Sequence, residues 1–435
     1  MLSQPDVLVV GGGPAGVAAA VDLAGMGLSV VLADQRDQLG GAVHRAYAGT
    51  GHSPVKRNAH HLRNWQSLMQ QVSQVGDRLS LQLQSVFLGV EGNGRYLLDD
   101  RVAGRVCSVR PKAVVLALGG VERVLPLPGW ELPGVTTAGG MQVQLKETGE
   151  APKGPILVAG SGPLPLALAA QLAAAGNPPL AVLERGQPFR AALSQPGAAF
   201  NGLRSLPHVM EALGYAKQLL QSGVPYRTGC TVTAIESAPD GLRVATVNRH
   251  GKNQVYELAH LALHDGLDVN QTGLPPQSTS GVPVVWAGDC REVLGADAAI
   301  SDGRQAALQV AKALGYLCND VNFEASLQSA RRMQAALRTL YLAPAPSVTP
   351  ETVICRCEGL RASSFEALKG AASPHEIRLV GRFAMGACQG RFCARAAQDM
   401  AAQSDVPFEL SALHGSTPRW PLRPVSVAAL AAYIE

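Results

Sequence analysis

Charge is scarce in this chain. Asp, Glu, Lys and Arg make up 16% of its 435 residues, below the level usual for soluble domains. The formal net charge of +4 is too small to argue for a nucleic-acid partner, and no basic stripe interleaved with aromatic residues is present. Long apolar runs are missing as well: none reaches the roughly 20 residues of a membrane-spanning helix. The first apolar segment begins too early for a secretory signal, so a cytoplasmic location is expected, with attachment to the inner membrane only peripheral and through partners. There is no His-Glu-x-x-His pair, no legible Ser/His/Asp constellation and no pattern of paired carboxylates. No catalytic acid or base is therefore assigned. Cysteines number only 8, and without a secretory signal a disulfide framework is not expected.

What is present begins near the N-terminus. Asp6 to Val10 is a short Val-rich run of the kind found in buried parallel strands. It leads into Gly11-Gly12-Gly13-Pro14-Ala15-Gly16 and then an Ala-rich helix. In that pattern Gly11 allows the turn, Gly13 lets backbone N–H groups approach a pyrophosphate, and Gly16 allows close helix–strand packing. A second apolar strand ends at Asp34, eighteen residues past Gly16, where a carboxylate can accept from an adenosine ribose. Gly40-Gly41 follows this strand. Ala113 to Gly120 is another apolar strand with Gly119 at its end. Val284 to Arg291 holds Gly288-Asp289 and precedes an apolar helix over 298–309. For Asp289 a helix N-cap is the alternative role.

A second dinucleotide-type unit lies between. Ile156 to Ala159 leads to Gly160-Ser161-Gly162, a helix, and a strand ending at Glu184. Pro165 stands where the pattern has its third glycine, and a proline ring prevents close helix–strand packing there. Gly160 and Gly162 mark a possible second nucleotide site; the departure at Pro165 argues against NAD(P) and leaves open a structural remnant or another nucleotide.

Four of the cysteines fall into two tight pairs, Cys355-x-Cys357 and Cys388-x4-Cys393. Four soft thiolates suit zinc or an iron–sulfur cluster. The segment from Ala362 to Leu368 reads as a capped helix with Glu366 near its start. Residues 389–402 read as a continuous helix, with Cys388 and Cys393 at its start and Arg391 or Arg395 near enough to stabilise an anionic centre. Leu342 to Pro350 is a Pro-rich linker. The tail is expected to be extended and then briefly helical. His44, His52, His60 and His61 cluster after Gly40-Gly41 and are expected at the surface or in the core. Cys290 is expected to be a small buried side chain.

These motifs resemble the two-dinucleotide-binding-domain flavoproteins. The expected fold is α/β, with two Rossmann-like dinucleotide-binding domains, the second inserted in the first, and a small C-terminal helical 2Fe–2S module. The resemblance implies FAD contacts at Gly11, Gly13, Pro14, Ala15, Gly16, Asp34, Gly40, Gly41, Gly119, Gly288 and Asp289. The redox cysteine pair of the disulfide reductases is missing: Ala42-Val43-His44 follows the glycines, and Cys230 has no near partner. The cysteine segment is similar to bacterioferritin-associated ferredoxin modules, which implies a 2Fe–2S cluster on Cys355, Cys357, Cys388 and Cys393. Expected boundaries are residues 1–145 and 265–345 for the FAD domain, 146–264 for the inserted domain, 346–410 for the module and 411–435 for the tail.

With the runs Pro128-Gly129-Trp130 to Gly139 and Gly386 to Cys393, the whole chain resembles the electron-transfer subunits of bacterial heteromeric amine dehydrogenases of the opine oxidase, hydrogen cyanide synthase and D-hydroxyproline dehydrogenase type. The resemblance implies a D-amino-acid-oxidase-like partner subunit, in some cases a small ferredoxin-like subunit, FMN where the large subunits meet, and a quinone or other acceptor. A self-sufficient NAD(P)H:acceptor oxidoreductase and a non-catalytic redox or iron sensor are the alternatives.

Overall fold

The computed structural model describes residues 4–50, 55, 59–271, 274, 281–317, 321–366, 368, 373–401 and 421–433. His52, Cys318, the end of the expected module helix at Ala402 and tail residues 403–420 lie outside them.

The chain opens with β1 (Val7–Val10), α1 (Pro14–Gly25) and β2 (Val30–Ala33). Every residue of both strands is buried, because a parallel sheet with helices on its faces leaves no strand side for water. α2 (Ala59–Gln74) crosses to β3 (Leu79–Gln82). Next comes an antiparallel sheet of β4 (Ser85–Val90), β5 (Tyr96–Asp100) and β6 (Arg105–Val109). β7 (Ala113–Leu116) then pairs with β1 on the side opposite β2, so Val9 lies between Leu32 and Val115.

After the short β8 (Gly120–Glu122) and β9 (Val135–Thr137), α3 (Ala138–Thr148) leads into the second unit. Thr137 caps α3 by accepting from the Gly140 N–H at 3.0 Å. β10 (Ile156–Gly160), α4 (Leu164–Ala174) and β11 (Ala181–Glu184) repeat the β1–α1–β2 plan. Three helices follow, α5 (Pro188–Ser194), α6 (Pro196–Leu203) and α7 (Leu206–Gln221), then β12 (Tyr226–Thr228). An antiparallel sheet is formed by β13 (Cys230–Ala238), β14 (Gly241–Asn248) and β15 (Asn253–Leu258). β16 (His260–His264) completes a parallel sheet in the order β12-β11-β10-β16-β9.

β17 (Leu267–Val269) pairs antiparallel with β8, and β18 (Val284–Trp286) adds to β7 at the edge of the first sheet, whose order is β18-β7-β1-β2-β3. The second unit is thus inserted within the first. α8 (Ala296–Ala313), longer than the sequence suggests, crosses α1 closely. A Cβ at Gly303 would lie 2.1 Å from the Ala15 carbonyl oxygen, so the crossing depends on a residue with no side chain. α9 (Glu324–Leu340) follows.

The two units are also fastened at their surfaces. His61 on α2 lies 3.3 Å from Asp297 on α8 and 3.7 Å from Glu211 on α7. His60 adds a 3.1 Å contact to Asp297, Asn64 donates to Asp297, and Tyr215 donates to Glu211. The Asp297 carboxylate, and then that of Glu211, push the His61 pKa up to about 9. Burial alone would raise Asp297, but its partners, led by His61, hold it at about 2. A raised histidine stabilises the fold fully below its unfolded pKa of about 6.5 and loses that contribution as pH rises through 9. The depressed carboxylate contributes above its own unfolded value and loses this toward pH 2. His61→Gln is therefore expected to lower stability by roughly 1–3 kcal/mol near pH 6 and by little at pH 9.5. Thermal melts of both proteins across that range measure it, and equal deficits at the two ends would contradict the assignment.

The cysteine segment folds as β19 (Val353–Cys355), β20 (Leu360–Arg361), α10 (Ala362–Glu366), α11 (Pro374–Leu379) and α12 (Cys393–Ala401). Its own core includes Ile354, Phe365, Ile377, Phe383 and Ala397, with Phe365 and Phe383 edge to face at 5.5 Å. Residues 389–392 are not helical: Gln389 and Gly390 both have positive φ, so the expected single helix from 389 starts only at Cys393. A helix through Gln389 would not bend the chain back as this turn does. Among the described residues no helix is long and apolar enough to cross a membrane.

Candidate cofactor site

The carboxyl ends of β1, β2, β7 and β18 converge on a cavity of about 310 Å³. Gly11, Gly13, Pro14, Ala15, Asp34, Gly41, Gly119, Gly288 and Asp289 all line it. Ligands of open α/β sheets bind at this end of the strands. Gly16 lies beneath the loop rather than in the cavity wall: a Cβ there would stand 1.8 Å from the Gly11 carbonyl oxygen. Gly40 donates to the Gly12 carbonyl at 2.8 Å and brings Gly41 against the Gly13 backbone.

Asp34 holds the glycine loop through one oxygen, which accepts from the Gly12 N–H at 2.6 Å, and accepts from the Arg36 N–H with the other. Asp289 accepts from the Leu294 and Gly295 N–H groups just before α8, so it caps this turn while lining the cavity; burial raises its pKa. Asp302, buried on α8, accepts from the Gly288 N–H at 2.7 Å and pairs with Arg291. Asp302 carries no sequence signal beyond its place on the helix. Arg36, Arg45, Asn270 and Arg423 also line the cavity and were not predicted; Arg391, expected beside the thiol pairs, lines it too. Cys290 is fully buried, as expected, and burial pushes its thiol up to about 11. His44 is buried and stacks on Trp65 at 4.8 Å.

At the matching end of the second unit, Glu184 is buried and accepts from the Gly162 and Gly186 N–H groups and from the Ser161 hydroxyl. Burial pushes its carboxyl up to about 7. The Tyr341 carbonyl accepts from Ser161 at 2.7 Å and lies 3.1 Å from where a Cβ on Gly186 would be. Gly160 and Gly162 form the expected turn, but the chain after α9 covers the carboxylate that a ribose would need.

In the cysteine module the thiols meet as two pairs, Cys355 with Cys393 and Cys357 with Cys388. Among the described residues no group of three or more His, Cys, Asp or Glu side chains is set to hold a metal ion. The hydrogen bond with Cys393 lowers the Cys355 thiol to about 6 and raises that of Cys393. Backbone N–H groups of Cys357 and Glu358 point at the Cys355 sulfur. Thiols with backbone N–H donors suit a soft, anionic thiolate centre.

Trp130 anchors this module. Its indole N–H donates to the Val353 carbonyl at 2.5 Å, and the Arg356 guanidinium lies over its ring at 4.2 Å and donates to its carbonyl. Arg356 stands between the first two cysteines, so the tryptophan from before β9 grips the thiol loop directly.

The comparisons agree with this architecture. Residues 5–291 match the family described as Pyridine nucleotide-disulphide oxidoreductase. The chain belongs to that family; it is an α/β flavoprotein oxidoreductase. It is 31% identical to an opine oxidase subunit of Agrobacterium tumefaciens over 98% of this chain and 91% of that protein. It is 30% identical to hydrogen cyanide synthase subunit HcnB of Pseudomonas aeruginosa over 97% of each. Among solved structures, L-proline dehydrogenase from P. horikoshii superimposes with a TM-score of 0.63 at 18% identity, covering 98% of this chain and 79% of that one; at that identity the likeness concerns the fold.

Proposed function

We propose that this chain is the electron-transfer subunit of a heteromeric dehydrogenase that oxidises an amine or imino acid of the opine, D-hydroxyproline or glycine type. FAD would be held by Gly11, Gly13, Pro14, Ala15, Gly16, Asp34, Gly40, Gly41, Gly119, Gly288 and Asp289, and a 2Fe–2S cluster by Cys355, Cys357, Cys388 and Cys393. FAD supplies acceptance of a hydride and release of single electrons, and the cluster supplies one-electron carriage. The observation that carries the reading is adjacency: Arg391, three residues beyond Cys388, lines the dinucleotide cavity. Thiol loop and cavity therefore share a wall.

The chain's own residues position and shield. The N-terminus of α1 and the loop N–H groups favour a pyrophosphate, Asp34 fixes the loop, and Trp130 fixes the thiol module. The substrate pocket is assigned to a partner subunit of D-amino-acid-oxidase type. Supporting this, the helices α5 to α7 expose Phe189, Leu193, Phe200, Leu203, Leu206 and Met210, each at least 59% accessible. A patch of that kind marks an interaction surface, and the named relatives in opine oxidase and hydrogen cyanide synthase are themselves subunits.

Absorption and EPR spectra of the anaerobically purified chain, alone and co-expressed with its partner, test the proposal. Flavin and a 2Fe–2S signal are expected in both, with reduction by an imino acid or opine only in the co-expressed complex. NADH is expected to leave the flavin oxidised, because Glu184 is buried and already hydrogen-bonded. Rapid bleaching of the lone chain by NADH would establish a working nicotinamide site in the second unit instead. Zinc in place of iron would remove the relay.

A further inference from the structure

Two guanidinium groups from outside the dinucleotide unit face the cavity between β1, β2 and β18. Arg391 comes from the thiol turn and Arg423 from the C-terminal segment. The two are tied together: Arg391 donates to the Leu422 carbonyl at 3.2 Å, and the Leu422 N–H donates to the Leu88 carbonyl of β4 at 2.7 Å. Leu422 is itself buried beside Phe87 and Leu116.

Among the described residues, each arginine keeps one N–H group without a protein acceptor. Arg391 Nε and Arg423 Nη1 are buried and have no hydrogen-bond partner among the described residues. Native proteins pair nearly all such buried donors, because an unmet one forfeits its hydration with nothing in return. Two unmet cationic donors on one cavity indicate an acceptor that carries negative charge. A dinucleotide brings a pyrophosphate, while the glycine loop offers it only neutral N–H donors and a helix dipole.

We propose that Arg391 and Arg423 are FAD-binding residues, donating to acceptor oxygens of the bound dinucleotide, and that FAD binding thereby locks the thiol module and the tail onto the flavin domain. The inference rests on the FAD reading above. Its consequence is reciprocal: whatever FAD gains from the docked module, the docked module gains from FAD. Module and cofactor then assemble as one unit, and a chain that has lost FAD holds its thiol loop more loosely.

The test uses the full chain stripped of FAD and titrated with FAD by calorimetry at two ionic strengths. R391Q and R423Q are each expected to weaken binding by about tenfold or more, the worth of a charge-assisted hydrogen bond, and to flatten its salt dependence. Arg361→Gln is the control: Arg361 belongs to the same module, pairs with Glu351 at its surface and does not line this cavity, so its affinity should stay within about twofold. A second readout is proteolysis of the linker 342–350, which FAD should slow in the wild type and not in the double variant. Thermal melts of the stripped proteins check folding, and if R391Q is unstable, R423Q alone decides. Wild-type affinity in the arginine variants, or equal FAD protection in all proteins, overturns the proposal. A wild type that binds no FAD at all overturns the flavoprotein cofactor assignment instead.

Discussion

Gly16→Ala is expected to give a chain without bound FAD and less stable by roughly 3 kcal/mol or more. The added carbon would stand 1.8 Å from the Gly11 carbonyl oxygen and 3.3 Å from the Ala117 side chain. Neither neighbour can retreat. The Gly11 N–H is bonded to the Ala33 carbonyl, and β1 is pinned between β2 and β7 along its whole length. Relief must come from moving α1 away from the sheet, which displaces the N–H groups that face the cavity. Gly25→Ala supplies the contrast. It lies at the end of the same helix with nothing within 4 Å of the new carbon, so alanine there should be neutral or stabilising by up to about 1 kcal/mol. Flavin-to-protein absorbance ratios and thermal melts measure both. Full flavin content in Gly16→Ala would show that the loop is not where FAD is held.

Cys357→Ser is expected to abolish the iron–sulfur EPR signal and nearly all bound iron while the chain keeps its FAD. Cys357 is the cleanest of the four positions because it is exposed, whereas Cys355 and Cys393 are each 1% accessible and belong to the module core. Serine at either buried site would leave a poorly satisfied hydroxyl among apolar side chains, confounding lost ligation with lost folding. A hydroxyl is a hard donor of much higher pKa than a thiol, so it is a poor replacement in a soft-ligand set. Cys230→Ala, in the second unit, should leave iron unchanged. Retention of iron in Cys357→Ser would disprove the four-cysteine assignment.

The first unit was legible because its signals are local. Val-rich runs mark β1 and β2, closely spaced glycines mark the turn from β1 into α1, and Asp34 follows β2 directly, where the loop needs a carboxylate. The return of the chain at β18 could be read from Gly288-Asp289 for the same reason. Features built by distant segments could not be read so. Nothing near Asp302 says that it holds Gly288, and nothing near Arg423 says that it reaches a cavity made by β1 and β2. His61 looked like one of several histidines after the flavin loop until α7 and α8 brought Glu211 and Asp297 to it. At Gln389 the expected helix overlooked Gly390, a poor helix former whose freedom at positive φ marks a turn before α12. The positive φ at Gln389 and Gly390 answers to the placing of Cys388 opposite Cys357, a demand that local propensity does not record.

The small antiparallel sheet of β4, β5 and β6 has a bearing on how the chain is made. One face, with Phe87, Tyr96 and Leu98, packs within the flavin domain, while Val86, Leu88, Leu97 and Val106 on the other are covered by Val425, Ala429 and Leu430. Those covering residues leave the ribosome long after the sheet does. Throughout that interval the nascent chain carries an uncovered strip of Val and Leu on β strands, the kind of surface that draws chaperones and promotes aggregation. Slower or cooler synthesis and ample chaperone supply should therefore raise the soluble yield of the full chain, and removing the residues after 424 should depress it while Leu422 and Arg423 remain in place.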